Sequence, residues 1–181
     1  MKLISVTTAL SPWNSFEGIP PAVLAEAARR GTFCHMLYAM YAQGLFFGAI
    51  PQEAQGFFDS FRRWFDKHVD KVFWTEKELV DEDLGIIGHA DAGIRLRDGI
   101  RYVVDWKTAA EFKLTWGPQT AAYLRLTDKC CKENFDGAMI LQPKKNGGMA
   151  KPEIFKKVES DRHWVVFVSS LNCYRFFKGV K

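Results

Sequence analysis

The sequence predicts an α/β fold in which a central mixed β-sheet is flanked by helices. Two observations lead to this prediction. Helical spacing of apolar residues comes before and after a central run of strand-like segments, and an Asp-Gly hairpin signal joins two of those segments. The 181 residues, 48% hydrophobic and 25% charged, suit one domain over residues 1–181 that needs no disulfide or metal to fold.

The first half of the chain carries the helical patterns. A helix is expected to begin at Pro21, because proline is tolerated in the first helical turn and residues 23–29 are strong helix formers. Gly31 is expected to interrupt it, and a second helical stretch follows from Thr32 to about Gly44. Pro51 opens another helix, in which aromatic residues spaced by three and four predict a core-facing stripe: Phe57, Phe58, Phe61, Trp64 and Phe65.

The middle of the chain changes to strand patterns. Three strands are predicted over 72–80, 85–96 and 100–107, and a turn at Arg97-Asp98-Gly99 joins the last two as a hairpin. A helix over 118–133, a strand over 135–141, a mobile basic loop over 144–148 and a strand over 153–158 follow. Residues 161–177 combine a β-rich run with helical spacing, and the sequence leaves both interpretations open.

The net charge of +4 is unevenly distributed. Residues 144–181 hold nine Lys or Arg and three acids, a net +6, so residues 1–143 carry −2. A basic segment on a slightly acidic body suits a protein that meets a polyanion with one edge, although a solvated surface explains this charge equally well. No run approaches the roughly 18 to 20 apolar residues of a membrane span, and the first four residues do not make a signal peptide, so a cytoplasmic protein is expected.

Two aspartates and a lysine are the residues that point to chemistry. Asp105 and Lys107 share one face of a predicted strand, and the hairpin brings Asp91 towards them from the neighbouring strand. Two neighbouring carboxylates repel each other unless a cation lies between them, and oxygen ligands favour Mg²⁺ or Mn²⁺. An exposed strand with a same-face salt bridge is the alternative for Asp105 and Lys107. His89 is expected to be a structural or surface histidine that points away from Asp91.

Five short motifs occur together in a fixed order: Arg30-Gly31-Thr32-Phe33-Cys34-His35, Glu76, Gly88 to Asp91, Asp105-Trp106-Lys107-Thr108, and Gln119 to Tyr123. In this order and spacing the chain resembles the RecB-like branch of the PD-(D/E)XK nucleases. It is most similar to phage-type exonucleases and the mitochondrial genome maintenance exonuclease, over residues 29–123. The resemblance implies a restriction-endonuclease-like core and a single nuclease domain over 1–181.

The resemblance also implies roles for individual residues. Asp91, Asp105 and Lys107 match the catalytic positions, and Lys107 matches the lysine that orients or deprotonates the attacking water. One or two Mg²⁺ or Mn²⁺ ions would bind His35, Asp91, Asp105 and the backbone carbonyl of Trp106. Glu76 or Glu78 can supply the branch's additional glutamate, and the spacing favours Glu76. Some relatives hold an iron–sulfur cluster through four cysteines, but the arrangement here is different: Cys34, Cys130, Cys131 and Cys173. No cluster is therefore expected. The four cysteines are expected to be small buried thiols.

Further residues are expected to support the motifs or to contact DNA. Gln119 and Tyr123 share a helix face, directed towards the nucleic-acid backbone or Lys107. Arg30 is interpreted as a structural or phosphate-contacting residue. The other expected contacts to the DNA backbone come from the basic segment: Lys144, Lys145, Lys156 and Lys157.

The activity implied is metal-dependent hydrolysis of DNA phosphodiester bonds by an exonuclease that acts on single- or double-stranded ends. It would belong to phage or prophage DNA recombination or repair, in a bacterial or phage-infected cytoplasm, with a recombination protein as a further partner and no membrane association. Two alternatives stay open. One is an endonuclease, either restriction-type or a junction resolvase, and the other is a nucleic-acid-binding module on the same fold that has lost catalysis.

Overall fold

The computed structural model describes residues 3–46 and 48–179, in which helices flank one open, mixed sheet. Lys181, counted above in the basic segment, lies outside these residues. Short 3₁₀ turns cover Ser11–Trp13 and Lys157–Glu159. The main elements, in chain order, are β1 (Ile4–Ser5), α1 (Val6–Leu10), α2 (Pro21–Ala42), α3 (Gln52–His68), β2 (Val69–Asp81), β3 (Ile86–Leu96), β4 (Arg101–Trp106), α4 (Trp116–Cys130), β5 (Gly137–Gln142), β6 (Lys151–Lys156) and α5 (Ser160–Lys178).

The sheet is built around β3. β2 pairs antiparallel with one edge of β3 from Ile86 to Leu96. The other edge is shared: β4 pairs antiparallel with residues 92–95, and the short β1 pairs parallel with Ile86 and Ile87. Among the described strands, none pairs with residues 88–91 on this edge. β5 runs parallel to β4, and β6 runs antiparallel to β5 at the outside of the sheet.

Two apolar cores cover the two faces of the sheet. The first contains the aromatic stripe of α3, which packs with Tyr38 of α2 and with Trp106 of β4, as the spacing predicted. The second is formed by α1, α4 and α5 against Leu79, Ile86 and Val103. None of the described helices has both the length and the apolar character that a membrane crossing requires.

The expected break at Gly31 is wrong, because α2 continues from Pro21 to Ala42. A single glycine lowers helix stability by only about 1 kcal/mol relative to alanine, and α2 passes through Gly31 without a break. A Cβ at position 31 would lie 3.5 Å from Thr108 Oγ1, an ordinary contact distance. The ambiguous segment is the helix α5. Sequence patterns missed β1 and α1, since two and five residues are too few to show a period.

The cysteines only partly match the expectation of buried thiols. Cys34 is buried in α2, whereas Cys130 and Cys173 are exposed and Cys131 is half-buried.

The basic loop, for which the composition predicted mobility, packs against α3. The backbone N–H of Lys144 donates to Ser60 Oγ at 2.8 Å, and Gly147 donates to the Lys144 carbonyl at 3.0 Å. Gly56 allows the close approach, because a Cβ there would lie only 1.8 Å from the carbonyl oxygen of Lys145. Lysines in this loop are therefore presented from a fixed backbone.

Gly56→Ala is expected to destabilise the protein by about 1 to 3 kcal/mol, because the new methyl group meets backbone and the loop must shift. Elsewhere in a helix the same change stabilises by about 0.5 to 1 kcal/mol, so the sign is diagnostic. Urea unfolding measures the difference. Gly31→Ala is the helical control, since a Cβ at Gly31 within α2 would lie 3.5 Å from its nearest neighbour, an ordinary contact distance. A stabilised Gly56→Ala protein would contradict the close packing.

Candidate active site

Three carboxylates lie in one row across three neighbouring strands. Asp91 and Asp105 occupy the positions one step beyond the paired residues Ala92 and Val104 of the β3–β4 hairpin. Glu76 lies opposite Asp91 on β2, between the pairs Thr75–Ala92 and Lys77–Ala90. Directly opposite residues on neighbouring strands have Cβ atoms about 4.5 to 5.5 Å apart. The hairpin therefore brings Asp91 towards Asp105, as predicted, and Glu76 extends the row.

The row lies where β3 and β4 stop pairing. Asp91 Oδ2 accepts a hydrogen bond from the Trp106 backbone N–H at 2.5 Å, so a side chain takes the place of a strand carbonyl. The two-residue alternation of β3 also breaks here: Ala90 packs in the α4–α5 core, whereas Ala92 packs in the α2–α3 core. His89 is exposed, as expected of a surface histidine, but it does not point away from Asp91, because residues two apart on a strand share a face. His89 and Asp91 line the same cleft of about 240 Å³, and His89 Nε2 lies 3.1 Å from Glu78 Oε2.

A histidine from α2 completes a group of three candidate ligands. His35 Nδ1 lies 3.2 Å from Asp91 Oδ1, and the ligand atoms of His35, Glu76 and Asp91 all lie within 4.8 Å of one another. Glu76 holds its backbone at φ 47°, in the left-handed region that side chains other than glycine rarely adopt. Strain of this kind persists where the surrounding structure imposes it, and it is concentrated at functional sites.

Asp105 is buried and is held from two sides. The Lys107 ammonium lies 2.6 Å from its Oδ2, and Gln119 Nε2 donates to its Oδ1 at 3.1 Å. Gln119 also donates to the Tyr123 hydroxyl at 3.1 Å. The Gln119–Tyr123 pair predicted from the sequence does share a helix face, but that face contacts Asp105 rather than Lys107.

Burial and negative charge shift the titration of these groups. Burial raises the pKa of Asp105 to about 6, and Asp91 adds to the shift while Lys107 opposes it. Desolvation and the charge of Asp91 raise the pKa of Glu76. Desolvation lowers the pKa of His35, but the charge and hydrogen bond of Asp91 more than compensate and raise it above its ordinary value. Burial first, and the charge of Asp91 second, therefore disfavour the ionised forms of Asp105 and Glu76.

These residues fit a divalent cation. Carboxylate oxygens are the ligands that Mg²⁺ and Mn²⁺ prefer, and an imidazole nitrogen adds a preference for Mn²⁺. His35, Glu76 and Asp91 supply such a set, and a bound cation would offset both the burial and the carboxylate repulsion that raise the pKa of Glu76 and Asp105. Asp105, one of the ligands implied by the resemblance, contacts Lys107 and Gln119 instead and borders this group.

The remaining predicted residues fall into two places. Arg30, Lys144 and Lys145 line a cavity of about 600 Å³ next to Thr108. Lys156 and Lys157 lie at the far end of β6, and Lys157 Nζ is 2.7 Å from Asp128 Oδ1. Sequence reasoning missed Lys151, which lines the same cavity, and Ser5 and Thr7, which line the carboxylate cleft. Lys151 belongs to the basic segment, but neither hydroxyl residue carries a sequence signal.

No model of a protein family matches the chain, and no curated protein matches it.

The metal-free protein is expected to lose stability as the pH rises. The pKa of Asp105 is about 6 in the folded protein, and its ordinary value is 3.8. Its contribution to the free energy of unfolding is therefore fully present below about pH 4 and is lost as the pH passes 6. The shift corresponds to about 3 kcal/mol, and His35 and Glu76 act in the same direction. Urea unfolding in EDTA at pH 4 and pH 7.5 measures most of the loss. Asp105→Asn should make the dependence of stability on pH weaker. If the stability of the unaltered protein rises with pH through this range, the raised pKa of Asp105 is contradicted.

Proposed function

We propose that the chain is a divalent-metal-dependent exonuclease that hydrolyses DNA phosphodiester bonds, on a restriction-endonuclease-like core. The observation that carries the proposal is the grouping of His35, Glu76 and Asp91 beside the Lys107–Asp105 pair. The resemblance of the motifs to RecB-like nucleases supports the same reaction. A role in phage or prophage recombination or repair, with a recombination protein as partner, is part of the proposal.

His35, Glu76 and Asp91 would hold Mg²⁺ or Mn²⁺, with the Trp106 carbonyl as a further ligand implied by the resemblance. Such an ion stabilises the negative charge that develops on phosphorus oxygens and makes water a stronger nucleophile. Asp91 also fixes the end of β4, because its second oxygen accepts the Trp106 N–H. A change at Asp91 therefore affects both the ligand set and the backbone that leads to Lys107.

Lys107 is the group that this chain contributes directly to the phosphate. The Lys107 side chain is 20% exposed, so its ammonium can donate a hydrogen bond to a phosphate oxygen or orient water while Asp105 holds it. Gln119 keeps the opposite oxygen of Asp105 occupied, which leaves the carboxylate one orientation. These contacts pre-position Lys107 for charge that develops in the transition state.

The test is digestion of DNA labelled at the 5′ or the 3′ end, in single- and double-stranded linear form, with Mg²⁺, Mn²⁺ or EDTA. We expect stepwise loss of nucleotides from linear DNA, abolished by EDTA, and no cleavage of covalently closed circles. Cleavage of circles would indicate an endonuclease instead. Binding of DNA and Mn²⁺ with no digestion of any substrate would indicate the catalytically inactive binding module.

A further inference from the structure

A second feature lies at the same end of the sheet as Lys107, and it is a cationic cavity. Thr108 forms part of its wall, directly after Lys107 in the chain, and the cavity has a volume of about 600 Å³. Four cations line it: Arg30 from α2, Lys144 and Lys145 from the loop after β5, and Lys151 at the start of β6. We call the space between these four residues, together with the residues themselves, the cationic cavity.

The charge of the cationic cavity is weakly neutralised by the protein. None of the residues that line it is an acid. Among the described residues, no carboxylate oxygen lies within 4.0 Å of Lys144 or Lys145, and the nearest to Arg30 and Lys151 are at 4.0 and 3.8 Å. Arg30 Nε is buried and has no hydrogen-bond partner. Four like charges around one space repel one another, so an anion there would be stabilised.

The cations are also held in position. The backbone of Lys144 is bound to Ser60, and the loop packs against Gly56, as described above. Lys151 is anchored by the pairing of β6 with Gln142 at the end of β5. Fixed donors lose less conformational entropy when they bind a ligand than donors on a mobile loop do.

The cavity adjoins a second open space that leads to the candidate ligands. Gly31 and Lys107 line a cleft of about 1020 Å³ together with His35 and Glu76. Gly31 and Thr108 lie between the cleft and the cavity, where a Cβ on Gly31 would be 3.5 Å from Thr108 Oγ1. A chain molecule that passes over this pair can therefore occupy both spaces at once.

We propose that the cationic cavity binds consecutive phosphodiester groups of the substrate strand, outside the bond that is hydrolysed. A single terminal phosphate carries a charge of at most about −2. It would therefore leave about half of the positive charge of the four cations unbalanced. A strand carries one charge at each nucleotide, so several neighbouring phosphates match the cavity better. This inference rests on the proposed function only in that the ligand is taken to be DNA.

The experiment measures binding of a fluorescein-labelled single-stranded oligonucleotide by anisotropy, in EDTA so that nothing is cut, across a range of NaCl concentrations. For single strands, log K falls with log salt by about 0.7 for each neutralised phosphate. Lys144→Gln, Lys145→Gln and Lys151→Gln should each make the slope shallower by about 0.7, and the triple variant by about 2. Lys129→Gln is the control with the same charge change and should leave the slope unaltered, since Asp81 and Asp83 already pair with Lys129.

Three outcomes overturn the inference in distinguishable ways. An unchanged slope in the triple variant, with DNA still bound and digested, refutes the cavity and leaves the proposed nuclease intact. A preference for 5′-phosphorylated over hydroxyl ends that disappears in the triple variant would assign the cavity to a terminal phosphate instead. A protein that binds no DNA at any salt concentration refutes the proposed function as well.

Discussion

Asp91→Asn should reduce DNA hydrolysis by on the order of 10³-fold, equivalent to about 4 kcal/mol of transition-state stabilisation. The substitution removes the negative charge at the centre of the carboxylate row, next to both His35 and Glu76. Asparagine keeps an oxygen that can accept the Trp106 N–H, so the end of β4 should stay in place. The loss is therefore expected in metal affinity rather than in folding.

Isothermal titration with Mn²⁺, digestion of labelled DNA and thermal unfolding measure the three properties separately. Glu78→Gln is the matched control: it removes one negative charge nearby, from a side chain that contacts His89 and is not in the ligand group. We expect Mn²⁺ affinity and digestion rates near those of the unaltered protein for Glu78→Gln. Normal Mn²⁺ affinity in the folded Asp91→Asn protein would remove Asp91 from the ligand set.

Lys107→Ala should separate metal binding from catalysis. We expect the hydrolysis rate to fall by on the order of 10² to 10³-fold, the usual effect of removing one pre-positioned donor. Affinity for Mn²⁺ should be retained or increased, because a positive charge 2.6 Å from Asp105 Oδ2 is removed from beside the cluster. The two substitutions therefore differ in the direction of their effect on metal binding.

Single-turnover digestion at saturating Mn²⁺ gives the rate for Lys107→Ala, and the titration gives its affinity. Lys107→Met serves as a comparison, since it keeps a long unbranched side chain and removes only the charge. Equal losses in the two variants would assign the effect to the ammonium group. Digestion at the rate of the unaltered protein by either variant would exclude Lys107 from the reaction.

Local sequence signals predicted much of the fold that carries this site. Pro21 marks the start of α2, and the Asp98-Gly99 signal lies at the turn where Gly99 adopts φ 92°. The face shared by Gln119 and Tyr123 follows from helical spacing alone. These features depend on residues within a few positions of one another, which is why the sequence shows them.

Other features depend on contacts between distant parts of the chain. The left-handed backbone of Glu76 and the break in alternation at Asp91 arise where β2, β3 and β4 meet, and no local pattern encodes them. The packing of the 144–148 loop on Gly56 and Ser60 also joins residues far apart in sequence. Likewise, the contact of Gln119 with Asp105 depends on how α4 packs on the sheet. Helix α2 continues through Gly31 because one glycine costs it only about 1 kcal/mol.

The turn between β3 and β4 determines which β4 residue lies beside Asp91, although the turn is some distance from that site. Leu96, at the start of the turn, is five residues from Asp91, or roughly 17 Å along the strand. The turn fixes how β4 slides along β3, and a slip of one residue sends every β4 side chain to the opposite face. Insertion or deletion of one residue at 97–99 would thus replace Asp105 in the row by an apolar neighbour. A change in the length of this turn is therefore expected to disrupt the site as a substitution of Asp105 itself would.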